Sequence, residues 1–88
     1  MFIEWSDDKN KTLKETRGFG FEDVVIAINS GEILDNIPNP QEGFQHQRMI
    51  VVKIEDYAVV VPYVKTDNGI FLKTAYKSRK ATKRYIEE

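Results

Sequence analysis

The chain has 88 residues, no cysteine, one histidine, 41% apolar and 31% charged residues, and a net charge of −1. That length predicts one domain, residues 1–88, with a single small core, and the missing cysteine excludes disulfides, thiol nucleophiles and cysteine-based zinc sites while fitting a reducing cytoplasm. No apolar run is long enough to span a bilayer, and Met1–Asp8 lacks a basic segment followed by an apolar one, so a cytoplasmic protein with no membrane contact is expected.

Phe2–Trp5 reads as a short edge strand. Ser6 is placed to cap a helix over Asp7–Arg17, with Asp7 and Asp8 in the first turn, where the helix dipole favours carboxylates, and Gly18 as its stop. Only Leu13 in that helix is plainly apolar, which predicts a surface helix with a thin buried stripe. A second helix runs from Phe21 to about Ser30. Phe21, Val24, Val25 and Ile28 recur at helical spacing, with Ile26 and Ala27 widening the stripe, so this helix is expected to pack on a sheet.

Glu32–Pro38 reads as a strand that Pro38 ends, and Asn39–Gly43 as a loop. Arg48–Ile54 and Tyr57–Val64 are strong strands separated by a hairpin-length gap, Glu55-Asp56. Val59-Val60-Val61 is apolar on both faces, which places this strand centrally, and Pro62 predicts broken or bulged pairing. A turn through Thr66–Gly69, with Asn68-Gly69 supplying positive φ, leads to a strand over Ile70–Tyr76 and a short basic helix over Ser78–Tyr85. The order β-α-α-β-β-β-β-α predicts an α+β fold: a small antiparallel sheet of about five strands, two N-terminal helices and a short basic C-terminal helix.

Charge is unevenly distributed. Residues 1–64 hold six Lys or Arg against eleven Asp or Glu, whereas residues 65–84 hold seven against Asp67 alone. From Lys73 to Arg84 there are six cations and no carboxylate, bracketed by Tyr76 and Tyr85. A cationic, aromatic-flanked surface on an otherwise acidic chain points to a polyanion. Metal-free cleavage of RNA needs a base for the 2′-hydroxyl, charge stabilisation at phosphorus and an acid for the leaving oxygen. Arginine suits the second task because its planar fork pairs with two phosphate oxygens; lysine or tyrosine can serve the others where nearby positive charge lowers the pKa. Strand alternation puts Phe71, Lys73 and Ala75 on one face. Helical spacing puts Arg79 with Lys83 and Lys80 with Arg84 on two basic ridges. His46, between Gln45 and Gln47, is either a solvated loop residue or a general base. The sequence offers no glycine-rich phosphate loop, no nucleophile elbow and no metal-ligand spacing, so neither a metal nor a cofactor is expected.

These features together resemble the BrnT-type toxins of bacterial toxin–antitoxin systems over nearly the whole chain. Phe2-Ile3-Glu4-Trp5-Ser6-Asp7-Asp8-Lys9 is similar to that family's opening, Arg17-Gly18-Phe19-Gly20-Phe21-Glu22-Asp23 to its central segment, and Ser78-Arg79-Lys80-Ala81-Thr82-Lys83-Arg84-Tyr85 to its C-terminal motif. Arg17 and Gly20 stand where the family has histidine and serine, and the C-terminal helix is shorter. The resemblance implies a RelE-like ribonuclease fold, cleavage of messenger RNA that arrests growth, and a hetero-oligomer with a small DNA-binding antitoxin; the ribosome is a further candidate partner. On that reading Arg79 binds phosphate. Tyr76, His46 and Lys73 complete the catalytic candidates, with Tyr85 another source of a proton, and Lys77, Lys80, Lys83, Arg84 and Arg17 contact RNA. The alternative is a module of the same fold that binds RNA, the ribosome or a protein without cutting.

Overall fold

The structure, a computed structural model, describes residues 2–87. Its elements are β1 (Phe2–Trp5), α1 (Asp7–Arg17), α2 (Phe21–Asn29), β2 (Ile33–Pro38), β3 (Arg48–Ile54), β4 (Tyr57–Lys65), β5 (Gly69–Leu72), β6 (Tyr76–Lys77) and α3 (Arg79–Thr82), the last running into a π-helical segment, Lys83–Glu87. The fold is α+β, as the chain order predicts. The sheet runs β1-β5-β4-β3-β2, with β6 also paired to β4. β3 pairs antiparallel with β2 and β4, and β4 antiparallel with β5 and β6, but β1 lies parallel to β5, with Phe2 opposite Gly69 and Trp5 opposite Leu72. The sheet is therefore mixed, a departure from the all-antiparallel expectation. Short turns fix the direction only of strands adjacent in sequence; β1 has no such neighbour and returns through two helices.

Ser6 caps α1 as expected, its Oγ accepting the Lys9 N–H at 3.2 Å, and Gly18 ends the helix at φ 76°. Leu13 is buried, but so is Asn10, which patterning does not mark as interior. Asn10 Oδ1 accepts the Phe21 N–H at 2.7 Å, and its Nδ2 donates to Glu22 Oε2 at 2.9 Å. Helix α2 begins after Gly20, which has no side chain to cap it, so α1 supplies an acceptor for a first-turn N–H. A Cβ on Gly20 would lie 2.7 Å from Asn10 Oδ1, so a larger residue there would have to displace the side chain that serves the start of α2. On α2, Phe21, Val24 and Ala27 are buried, while Ile26 is 63% exposed and does not widen the apolar stripe.

Both sheet faces are covered, by different parts of the chain. Leu13, Phe21, Val24 and Ala27 from the two helices meet Ile50, Val52, Val59, Val61 and Leu72 on one face. Met49, Val51, Ala58 and Val60 on the other meet Ala81, Tyr85 and Ile86. This explains the unbroken apolar run in β4, which has β3 on one side, β5 and β6 on the other, and a covered surface on each face.

Pro62 keeps its register opposite Met49 on the β3 side, and the irregularity expected there is found only on its other side. Val60 pairs with Tyr76 and Tyr63 with Leu72, so three steps along β4 oppose four along the partner segment. The extra residue lies in Lys73–Ala75, between β5 and β6, and the Lys73 N–H donates to Pro62 O at 2.8 Å. Strand alternation is reset there: Leu72 and Ala75 both enter the helix-side core, whereas Lys73 is exposed. The expectation that Lys73 and Ala75 share a face fails because it assumed an unbroken strand. The turn before β5 also differs. Neither Asn68 nor Gly69 has positive φ; Glu55, in the preceding turn, is the non-glycine residue that does, at 56°. Gly69 serves a close approach instead, since a Cβ there would collide with the Phe2 backbone.

Candidate functional site

The junction between β6 and α3 is fixed by backbone and hydroxyl hydrogen bonds that leave its cations outside. The Ser78 N–H donates to Ala58 O at 3.0 Å, and Ser78 Oγ caps α3 by accepting the Ala81 N–H at 3.1 Å. Thr82 Oγ1 donates to Ser78 O at 2.7 Å and accepts the buried Ala58 N–H at 2.9 Å. Ala81 is buried against the sheet. Ser78, Ala81 and Thr82 thus anchor the turn to β4, while the intervening Arg79 and Lys80 are exposed. Regular α-helix ends at Thr82, so the two basic ridges expected at four-residue spacing do not continue beyond it.

Arg79 lines a cavity of about 340 Å³ with Tyr57, Lys77, Thr82 and Glu87. Lys77 also lines a neighbouring cavity of about 290 Å³ with Arg17, Phe19 and Tyr76. Four cations and phenols from the predicted set, Arg17, Tyr76, Lys77 and Arg79, therefore come together although one of them is far away in sequence. Arg17 reaches this place from the end of α1 by donating through its guanidinium to Ala75 O, a carbonyl beside the β5–β6 bulge. It thus has a structural role as well as an exposed charge. Tyr57 is a contributor that sequence reasoning missed; it looked like an ordinary strand residue, but it is 46% exposed, with the Lys77 ammonium 4.5 Å from its ring centroid.

Lys14–Glu22, at 3.0 Å, is the single ion pair among the described residues, so none of the cations from Lys73 to Arg84 is neutralised by one. Unpaired cations crowded on one edge raise the local potential and favour an anionic ligand. Another cavity, about 380 Å³, is lined by Asp23, Glu32 and Glu55 against Lys53 alone, a charge balance unsuited to a polyanion. Among the described residues, no three His, Asp or Glu side chains gather as a metal site, and no helix is long and apolar enough to cross a membrane.

Other predicted residues lie elsewhere. His46 lines a cavity with Gln45, Arg48, Tyr63, Val64 and Lys65, at the far end of β4 from Val59, the partner of Lys77. The four strand steps from Val59 to Tyr63 span about 13 Å, which separates His46 from the Arg79 group. Lys73, on the bulge, holds its ammonium 5.6 Å from the Phe71 ring and lines neither cationic cavity. Lys80, Lys83 and Arg84 are exposed around the helical segment, with Arg84 5.5 Å from the Tyr85 ring. Tyr85 is withdrawn from proton transfer, because its hydroxyl donates to Asp35 Oδ2 at 2.5 Å. That bond, with help from the Asn36 N–H, holds the Asp35 carboxyl below its ordinary range and raises the Tyr85 phenol.

No family model and no curated protein matches this sequence.

Proposed function

We propose that the protein binds RNA at the β6–α3 junction and cleaves it without a metal, as the toxin of a toxin–antitoxin pair. The observation that carries the RNA reading is the convergence of Arg17, Tyr76 and Lys77 on one cavity beside Arg79, with no carboxylate paired to any of them. Arg79 follows Ser78, whose backbone and hydroxyl are both engaged, so its guanidinium is presented from a fixed base and can hold a phosphate in two places. Tyr76 places an exposed phenol beside Arg17 and Lys77, in position to exchange a proton with a ribose hydroxyl. The proposed partners are messenger RNA and a small antitoxin that would cover the same cations.

One specific observation favours binding without cleavage. With His46 and Lys73 placed elsewhere and the Tyr85 hydroxyl bound to Asp35, Tyr76 is the one predicted proton-transfer residue beside Arg79, whereas cleavage needs both a base and an acid. Induced expression separates the two readings. A toxin should stop growth, Arg79→Ala should restore it, and purified protein should shorten RNA in the presence of EDTA. A binding module should retard RNA without shortening it, with an affinity that falls steeply as salt rises. Salt-insensitive retention, or none, would refute both.

A further inference from the structure

Tyr57 lies outside both apolar clusters, and the cation beside it positions its ring. It opens β4 opposite Ile54 and is 46% exposed. The Lys77 ammonium lies 4.5 Å from its ring centroid, a cation–π contact that fixes the ring without burying it. Below it is the cavity of about 340 Å³ whose other walls are Lys77, Arg79, Thr82 and Glu87. That volume is at the lower end of the range of small-molecule sites, about 300–1,000 Å³. Thr82 is committed to Ala58 and Ser78, which leaves an aromatic plane, two cations and one carboxylate facing the same space. The Glu87 carboxylate pairs with neither cation and keeps its acceptors.

We propose that this cavity is a nucleobase subsite selective for guanine, in which the base stacks on Tyr57 and its phosphate meets Arg79 and Lys77. The inference rests on the RNA reading of the same junction and adds a base preference to it. An exposed aromatic ring beside a cationic track is the recurring means of holding single-stranded nucleic acid, because every base has a π face. The carboxylate supplies selectivity. Guanine presents two adjacent donors on its Watson–Crick edge, N1–H and the 2-amino group, which match the two oxygens of Glu87. Adenine and cytosine each place one amino donor beside an acceptor nitrogen, and uracil flanks its single N–H with two carbonyls that a carboxylate repels. A duplex would bury these edges, so the ligand is single-stranded.

The test is fluorescence anisotropy with labelled 2′-O-methyl oligouridylates, which resist cleavage, carrying one central guanosine, inosine or abasic position. The wild-type protein should bind the guanosine oligomer about tenfold more tightly than the abasic one, with inosine, which lacks the 2-amino group, between them. Tyr57→Ala should remove the guanosine advantage and Tyr57→Phe should keep it. Glu87→Gln should equalise guanosine and inosine while leaving both above abasic. Equal wild-type affinity for the guanosine and abasic oligomers, with Arg79→Ala still weakening both, would overturn the subsite and leave the RNA reading standing. This comparison needs no substitution at Tyr57. A wild-type protein that binds none of the oligomers at low salt would overturn both.

Discussion

Replacing Asn10 with alanine removes the acceptor that satisfies the start of α2. The Phe21 N–H it serves is buried, and the bond is 2.7 Å long. Gly20 can offer no side chain in its place. Stranding a buried donor costs about 1–3 kcal/mol, and loss of the partly exposed bond to Glu22 adds less because water competes for it. We take about 2 kcal/mol, which for a chain of this size lowers the melting temperature by roughly 8–16 °C. Urea titration followed by circular dichroism measures the free energy, and a thermal scan measures the shift. Asn10→Asp is the companion variant. It keeps an oxygen for Phe21 but sets a second carboxylate against Glu22, so its defect should be worst near neutral pH and lessen as the solution is acidified through the carboxylate range. A loss under about 0.5 kcal/mol for Asn10→Ala, the scatter of ordinary surface changes, would mean that water reaches the Phe21 N–H and would refute the reasoning.

Thr82→Val, similar in shape, leaves the buried Ala58 N–H without its acceptor and should cost about 1–3 kcal/mol in urea titration, whereas Thr82→Ser should cost less. The Tyr85–Asp35 bond makes stability depend on pH at both extremes. The depressed Asp35 pKa means that its contribution is present above the ordinary carboxylate range and lost as pH falls through it. The raised Tyr85 pKa means that the contribution is present below pH about 10 and lost as pH rises through the folded phenol's range. Tyr85→Phe should therefore make the urea midpoint less sensitive to pH at both ends, and unchanged limbs would show that the bond does not persist in solution. Gly69→Ala should detach β1 from β5, seen as faster hydrogen exchange at Phe2–Trp5 with β3 and β4 still protected.

Much of the architecture could be read from local chemistry. The Ser6 cap, the Gly18 stop, the central β4 and the disturbance at Pro62 each follow from one residue type acting on its own neighbourhood. Features that depend on pairing across the chain were not readable in this way. The parallel placement of β1 depends on Gly69, and the burial of Asn10 depends on a helix start eleven residues away whose N-cap residue, Gly20, has no side chain. For the candidate site, the cationic segment was visible as composition. Its shape was not, because a one-residue bulge moves Ala75 to the helix side, where its carbonyl receives Arg17. Tyr57 gave no sequence signal, since strands are rich in tyrosine and only exposure distinguishes this one. His46 and Tyr85 suit proton transfer by side-chain chemistry alone; one lies at the end of β4 remote from Arg79 and the other is already bonded.

The pairing of Phe2 with Gly69 also has a temporal meaning. Sixty-seven positions separate the two partners, and closing a flexible loop of that length costs about 4 kcal/mol of chain entropy before any contact repays it. The two N-terminal helices and the β3–β4 hairpin need only local closures and can assemble first. During synthesis, β1 emerges before β5 and must wait for it, so β1 stays unpaired while β2, β3 and β4 can already associate. Until then the helix-side core lacks its β1 edge, which carries Trp5, packed 5.6 Å from the Phe21 ring in the finished fold. Trp5 is the single tryptophan of the chain, so its fluorescence should report the docking of β1 separately from formation of the β3–β4 hairpin.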